Sequence, residues 1–192
     1  MGGLHHDGME STVIHSDPPE PRPAGADLRE IILGAQDNLV NVLATVLGVA
    51  IGSGSTKIVA LAGLASGIAE AISMGGVLYT STCAERDLQR RGNANGAPGA
   101  DLKDPFRAAV VTFVAALLAA AIPLAPFAFL SIRRAMLVAA VLSVVALFAL
   151  GGYKGGVTGR PRWRDGIQFV AIGSLAALAS ALVGAALKTN VG

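Results

Sequence analysis

Five long apolar segments dominate this chain of 192 residues and constrain its fold more than any other feature. Each holds about the twenty residues that an α-helix needs to cross the hydrocarbon core of a bilayer. Hydrophobic residues make up 53% of the chain and charged residues only 15%, whereas a soluble domain of this length carries far more surface charge. We therefore predict an all-α integral membrane protein with five transmembrane helices. The predicted spans are about 31–52, 58–83, 108–130, 135–153 and 166–187.

The segments outside the spans suggest one domain with a polar tail. Residues 1–27 are polar and rich in proline, which predicts a disordered tail ahead of a single transmembrane domain at 28–190. No apolar core follows a basic start, so we expect no cleavable signal peptide and an uncleaved first span that directs insertion. The charged segment 84–91 is predicted to continue the second helix beyond the membrane. Asp104 followed by Pro105 is typical of a helix start.

The basic residues predict the orientation of the spans. With the N-terminus in the cytoplasm, eleven lysines and arginines fall on the cytoplasmic side and four on the outside. Basic residues are enriched in cytoplasmic loops, so this distribution favours a cytoplasmic N-terminus and an external C-terminus. The same preference explains the net charge of +2 without a nucleic-acid partner.

Two acids, Asp37 and Glu70, lie deep inside the first and second apolar segments. A carboxylate in the middle of a membrane helix costs roughly 2.5–3.5 kcal/mol on insertion scales, so such residues usually serve a function. Asn41 and Thr45 follow Asp37 at intervals of four and share its helical face, and Met74 shares the face of Glu70. These positions predict an ion pathway between the first two spans.

Depth along the two helices supports this pathway. With the predicted cytoplasmic ends of both spans at one level, the rise of about 1.5 Å per residue places Asp37 nearest the cytoplasm. Asn41 and Met74 then lie at a similar depth, and Glu70 lies deepest. Small residues four apart permit close helix contact, which predicts packing at two glycine pairs. The pairs are Gly48 with Gly52 and Gly63 with Gly67.

The ligand chemistry suits a divalent cation of the first transition row. Carboxylate and amide oxygens match Mn²⁺ and Fe²⁺, and a thioether favours the softer Fe²⁺. A carboxyl group in an apolar medium can hold either a metal ion or a proton, which is the physical basis of an antiporter. Other interpretations stay open at this point: Asp37 could cap its helix or pair with Arg29. Glu70 could be a protonated acid bonded to a neighbouring helix.

Two segments resemble motifs of the vacuolar iron transporter family. Residues 29–38 read R-E-I-I-L-G-A-Q-D-N and are similar to the family's opening R-D-x-I-x-G-x-x-D-G. Residues 71–87 read A-I-S-M-G-G-V-L-Y-T-S-T-C-A-E-R-D and resemble its A-x-S-M-x-x-G-E-Y-x-S-x-x-S-Q-R-D/E. The matching residues of the second motif are Ser73, Met74, Tyr79, Ser81, Arg86 and Asp87.

The resemblance implies a homodimeric, proton-coupled exporter of Fe²⁺ or Mn²⁺, with a pathway carboxylate at Asp37 and a pathway ligand at Met74. The chain departs from the family pattern at three positions: Asn38 replaces a glycine, Leu78 a frequent glutamate, and Ser66 an acid of plant-type members. Glu70, one turn from Ser66, would then take the place of that acid.

The loop between the second and third spans also departs from plant-type members of the family. It lacks the long, Glu-rich metal-binding domain that those members carry there. Glu85 and Asp87 remain as candidates for the cytoplasmic mouth of the pathway, or as a solvated helix end.

Several function classes fit less well. With one cysteine, no histidine inside a span and no catalytic pattern, we expect neither an enzyme nor a resident cofactor; the metal would be the cargo. The main alternative is a non-transporting membrane scaffold or partner-binding subunit. An exporter of organic cations would need an aromatic-lined cavity, and aromatic residues form only 5% of the chain. The expected location is a bacterial inner membrane, or a vacuolar membrane in a eukaryote.

Overall fold

A computed structural model describes residues 25–92 and 104–188, and almost all of them lie in five helices. The predicted tail at 1–24 lies outside the described residues. The helices are α1 (Gly25–Ser53), α2 (Thr56–Gly92), α3 (Pro105–Phe129), α4 (Ile132–Val157) and α5 (Arg162–Ala186). All five are long and apolar enough to cross a membrane. The predicted all-α membrane fold with five spans is therefore confirmed, and the orientation of its termini stays a prediction.

Short connections make successive helices antiparallel. The turn between α1 and α2 contains Gly54 with φ +64°, and that between α4 and α5 contains Gly159 with φ +69°, a conformation that side chains with a Cβ rarely adopt. The charged segment predicted to extend the second helix does so, because α2 continues to Gly92. Asp104 caps α3 by accepting a hydrogen bond from the backbone N–H of Phe106 at 3.2 Å.

Helix α1 lies at the centre of the bundle and packs against each of the other four helices. Its spanning segment is 56% buried inside the protein, against 17–33% for the other spans. The outer faces of α2 to α5 carry large apolar side chains that are more than half exposed. Examples are Leu61, Leu118, Leu137 and Leu175. Such a surface suits hydrocarbon, since lipid tails are as apolar as leucine.

Close contacts at small residues hold α1 against its neighbours. A Cβ added to Gly48 would overlap the hydroxyl of Ser180 on α5 and lie 2.8 Å from its carbonyl oxygen. A Cβ added to Gly52 would lie 3.3 Å from the carbonyl oxygen of Gly184. The predicted pair Gly48 and Gly52 therefore faces α5.

The second predicted pair lies on α2 and faces α3 and α1. A Cβ on Gly63 would overlap Leu124 and lie 2.8 Å from Val46. A Cβ on Gly67 would lie 3.0 Å from the Cβ of Ala120. Because these contacts leave no space for a side chain, α2 approaches both of its neighbours closely at this level.

Candidate metal pathway between α1 and α2

Three of the predicted pathway residues meet between α1 and α2. The side chain of Glu70 has Asp37 and Asn41 as its side-chain hydrogen-bonding partners. Asp37 and Asn41 are one turn apart on α1, so both can face the same residue of α2. All three side chains are half-buried. Two carboxyl groups in contact repel each other unless a proton or a cation lies between them, so this arrangement is suited to exchanging one for the other.

A hydroxyl pair follows one turn further along both helices. The hydroxyl oxygens of Thr45 on α1 and Ser66 on α2 lie 3.5 Å apart, and both residues are half-buried. Thr45 follows Asn41 by four residues, and Ser66 precedes Glu70 by four. The polar contacts between the two helices therefore continue beyond the carboxyl pair toward the turn that joins α1 and α2.

Met74 lies at the other end of this polar row. Its methyl carbon is 4.0 Å from the point that a Cβ on Gly34 would occupy, so Met74 is level with Gly34. Met74 thus lies about one turn from Asp37 toward the start of α1, and Glu70 lies level with both Asp37 and Asn41. The predicted order, with Asn41 beside Met74 and Glu70 deepest, differs from this arrangement.

The difference comes from the alignment of the two helices. The predicted depths placed Ile31 and Cys83 at the same level. Because Met74 is level with Gly34, Cys83 is nine residues beyond that level and Ile31 only three. At about 1.5 Å per residue, Cys83 therefore extends roughly 9 Å farther than Ile31. Helix α2 is displaced along its axis by that amount relative to the expectation.

Asn38 is a buried polar residue whose structural role was not apparent from the sequence. It is fully buried, and its side-chain amide donates to the carbonyl oxygens of Gly67 on α2, at 3.1 Å, and Ala116 on α3, at 2.9 Å. Asn38 therefore joins three helices immediately beside Asp37. Its Oδ1 and the hydroxyl of the buried Thr112 have no hydrogen-bond partner among the described residues. Successive helical residues point about 100° apart, so this anchor turns Asp37 toward α2.

The remaining candidate residues lie apart from this row. Glu85 and Asp87 are exposed on the extension of α2, about three turns or more beyond Met74. Leu78, at the position where the family often has a glutamate, is buried. No group of three or more histidine, cysteine, aspartate or glutamate side chains that could hold a metal occurs among the described residues. A cation would be held here by the carboxyl pair together with neutral ligands.

These features define a class: a helical membrane protein with an acidic site between its first two spans. The sequence profile of the VIT family matches residues 28–96 and 93–185, which is most of the chain. This chain therefore belongs to the VIT family, and the resemblance seen in its two motifs is confirmed.

Individual relatives cover most of the chain at moderate identity. Vacuolar iron transporter homolog 5 of Oryza sativa subsp. japonica is 28% identical over 190 residues, which cover 91% of each chain. Vacuolar iron transporter homolog 4 of Arabidopsis thaliana is 29% identical over 159 residues, 79% of each chain. Vacuolar iron transporter homolog 1 of Arabidopsis thaliana is 29% identical over 137 residues, covering 69% of this chain and 68% of its own.

Proposed function

We propose that this protein is a membrane transporter of a divalent transition metal, Fe²⁺ or Mn²⁺, coupled to protons and directed out of the cytoplasm. The observation that carries the proposal is the contact of Glu70 with Asp37 and Asn41. A metal ion entering between the two carboxyl groups would gain two negative charges and an amide oxygen. A proton would have to leave for the metal to bind, and its return would release the metal.

Met74 and the hydroxyl pair extend the proposed path on either side of the carboxyl pair. The thioether of Met74 would offer a soft ligand on the side of Gly34, and Thr45 and Ser66 would offer neutral oxygens on the other. Neutral ligands on both sides bind a cation less strongly than the carboxyl pair, so the ion can move on. The names of the relatives, which are vacuolar iron transporter homologs, support iron as the first metal to test.

The decisive experiment is a flux assay in proteoliposomes. Vesicles with an internal metal-sensitive dye receive Fe²⁺ or Mn²⁺ outside under an imposed pH gradient. We expect uptake that depends on the gradient and disappears in Asp37→Ala and Glu70→Ala. Ser174→Ala, an exposed hydroxyl change on α5, serves as the matched control and should leave uptake unchanged. Uptake that persists in both acid variants would refute the path.

The same assay tests the proton and the alternatives. Acidification of an internal pH dye during metal release would support exchange, whereas flux independent of the gradient would refute coupling. A scaffold protein would give no flux in the unmodified chain. An organic-cation exporter receives no support from the groove of about 320 Å³ between α2 and α3, since its lining is aliphatic.

The proposal includes a homodimer in a bacterial inner or a vacuolar membrane. Helix α2 packs mainly against α1 and α3, which leaves its outer face and the half-buried acids open on one side. A second copy could cover that side and exclude lipid from the path. Cross-linking through cysteines placed at Leu61 and Ile68, both exposed on α2, should give a covalent dimer in native membranes. A strictly monomeric product from both positions would contradict a dimer through this face.

A further inference from the structure

We propose that the surface formed by Tyr153, Lys154, Arg160, Arg162, Trp163 and Arg164 binds the headgroup of an anionic phospholipid. This surface, the α4–α5 basic patch, lies where α4 ends and α5 begins. It is at the end of the bundle where α2 projects, and far along the helices from the hydroxyl pair. The proposal does not depend on the transport function.

The charges of the patch are all of one sign at the surface. Arg160, Arg162 and Arg164 are exposed and Lys154 is half-buried. Asp165 is the one acid in this stretch, and it is 3% exposed with its Oδ2 lacking a hydrogen-bond partner among the described residues. The buried carboxyl group therefore does not occupy the basic side chains in ion pairs. Their positive charge is available to an external anion.

Three of the basic side chains are held in place by uncharged neighbours. The guanidinium of Arg162 lies across Gly156, its Nε 3.0 Å from the point that a Cβ would occupy. The guanidinium carbon of Arg164 is 5.8 Å from the centre of the Trp163 ring. The ammonium of Lys154 is 5.1 Å from the centre of the Phe169 ring. These contacts fix the stems of the side chains without neutralising their charge.

The apolar part of the patch identifies the anion as a lipid. Trp163 is 60% exposed, Tyr153 53% and Val157 50%. Tryptophan and tyrosine with one apolar and one polar edge concentrate at the headgroup level of a bilayer. A free phosphate ion would find the charges but would gain nothing from these rings. A phospholipid matches both, with its phosphate at the arginines and its glycerol and upper acyl chain against the aromatic residues.

The chain carries its own reporter for this contact, because Trp163 is its one tryptophan. The full-length protein is reconstituted in phosphatidylcholine vesicles that contain either brominated phosphatidylglycerol or brominated phosphatidylcholine. Bromine on the acyl chain quenches tryptophan only when the lipid is adjacent. We expect stronger quenching by the anionic lipid at equal mole fraction. Each arginine near an anionic surface contributes up to about five-fold in binding.

Two variants test the assignment. The triple variant Arg160→Gln, Arg162→Gln and Arg164→Gln should quench equally with both lipids. The variant Arg133→Gln with Arg134→Gln removes two exposed charges at the opposite end of the bundle and should keep the selectivity. Far-UV circular dichroism checks that each variant retains its helices.

A salt titration tests the unmodified chain without any substitution. At about 1 M salt, where the Debye length is about 3 Å, the preference for the anionic lipid should largely disappear. Equal quenching by both lipids at low salt would overturn the proposal. A preference that survives in the triple variant, or that salt leaves unchanged, would overturn it as well.

Discussion

Replacing Gly184 by alanine should destabilise the bundle, because the new methyl group would meet the backbone of α1. A Cβ at this position would overlap the carbonyl oxygen of Gly48 and lie 2.9 Å from its carbonyl carbon and 3.1 Å from its Cα. Backbone atoms cannot rotate out of the way as the end of a side chain can. The two helices must therefore move apart until these carbon contacts reach ordinary van der Waals separation.

The cost of this displacement follows from the quality of the contact. Opening a packed interface by about 0.5–1 Å forfeits a quarter to a half of the dispersion energy of each atom pair across it. Overpacking of this kind typically costs about 1–3 kcal/mol. The change also gains helix propensity, since alanine is favoured over glycine in a helix interior by roughly 0.5–1 kcal/mol. The loss should exceed this gain because the clash involves main chain on both sides.

Gly76→Ala is the matched control, because a Cβ on Gly76 would meet nothing within 4 Å. Both residues lie inside helices, so the difference between the two variants isolates packing from propensity. The assay is unfolding in mixed micelles of mild detergent and sodium dodecyl sulfate, followed by the fluorescence of Trp163 on α5. We expect Gly184→Ala to unfold at lower denaturant than the unmodified chain, and Gly76→Ala at the same or slightly higher. Coincident midpoints for the two variants would refute the packing argument.

The other predictions concern the cap, the buried amide, the carboxyl pair and the orientation. Asp104→Ala should cost about 1 kcal/mol and speed amide hydrogen exchange in the first turn of α3. Asn38→Leu should change stability by less than about 2 kcal/mol in the same micelle assay, since interhelical bonds in membranes average about 0.6 kcal/mol each and one unpartnered oxygen is removed with them; Asn38→Asp should cost more, because it sets an acceptor against two carbonyl oxygens. In proteoliposomes, Asp37→Asn with Glu70→Gln should lose no more flux than either change alone, because the two acids act as one unit, and additive losses would contradict this. A membrane-impermeant maleimide should label Cys83 in inverted vesicles and not in intact cells; labelling of intact cells would reverse the predicted orientation.

Hydropathy predicts the five helices well because each span must satisfy its own backbone hydrogen bonds in lipid. Periodicity likewise indicates that Asp37 and Asn41 share a face, since this depends on one helix alone. The contact of both residues with Glu70 depends on two helices and on their relative alignment. Spacing cannot supply that alignment, and the position of Met74 differed from the expectation for this reason.

The partners of the small residues were equally beyond the sequence. Gly48 and Gly52 face Ser180 and Gly184, which have the same spacing of four on α5. Small residues are so frequent in this chain, with 24 glycines, that many pairs of this spacing exist. The sequence indicates that close packing is available, and only the three-dimensional arrangement selects which pairs use it.

The distribution of contacts determines where the carboxyl pair can open at least cost. Helix α1, with Asp37 and Asn41, is anchored on four sides, by the glycine contacts with α5 and by Asn38 to α2 and α3. Helix α2, with Glu70, packs mainly against α1 and α3 and is free on its outer face. Moving α1 would disturb every interface of the bundle, whereas moving α2 disturbs chiefly two. A change that separates the two acids is therefore most readily made by α2, and the hydrogen bond from Asn38 to Gly67 opposes it directly.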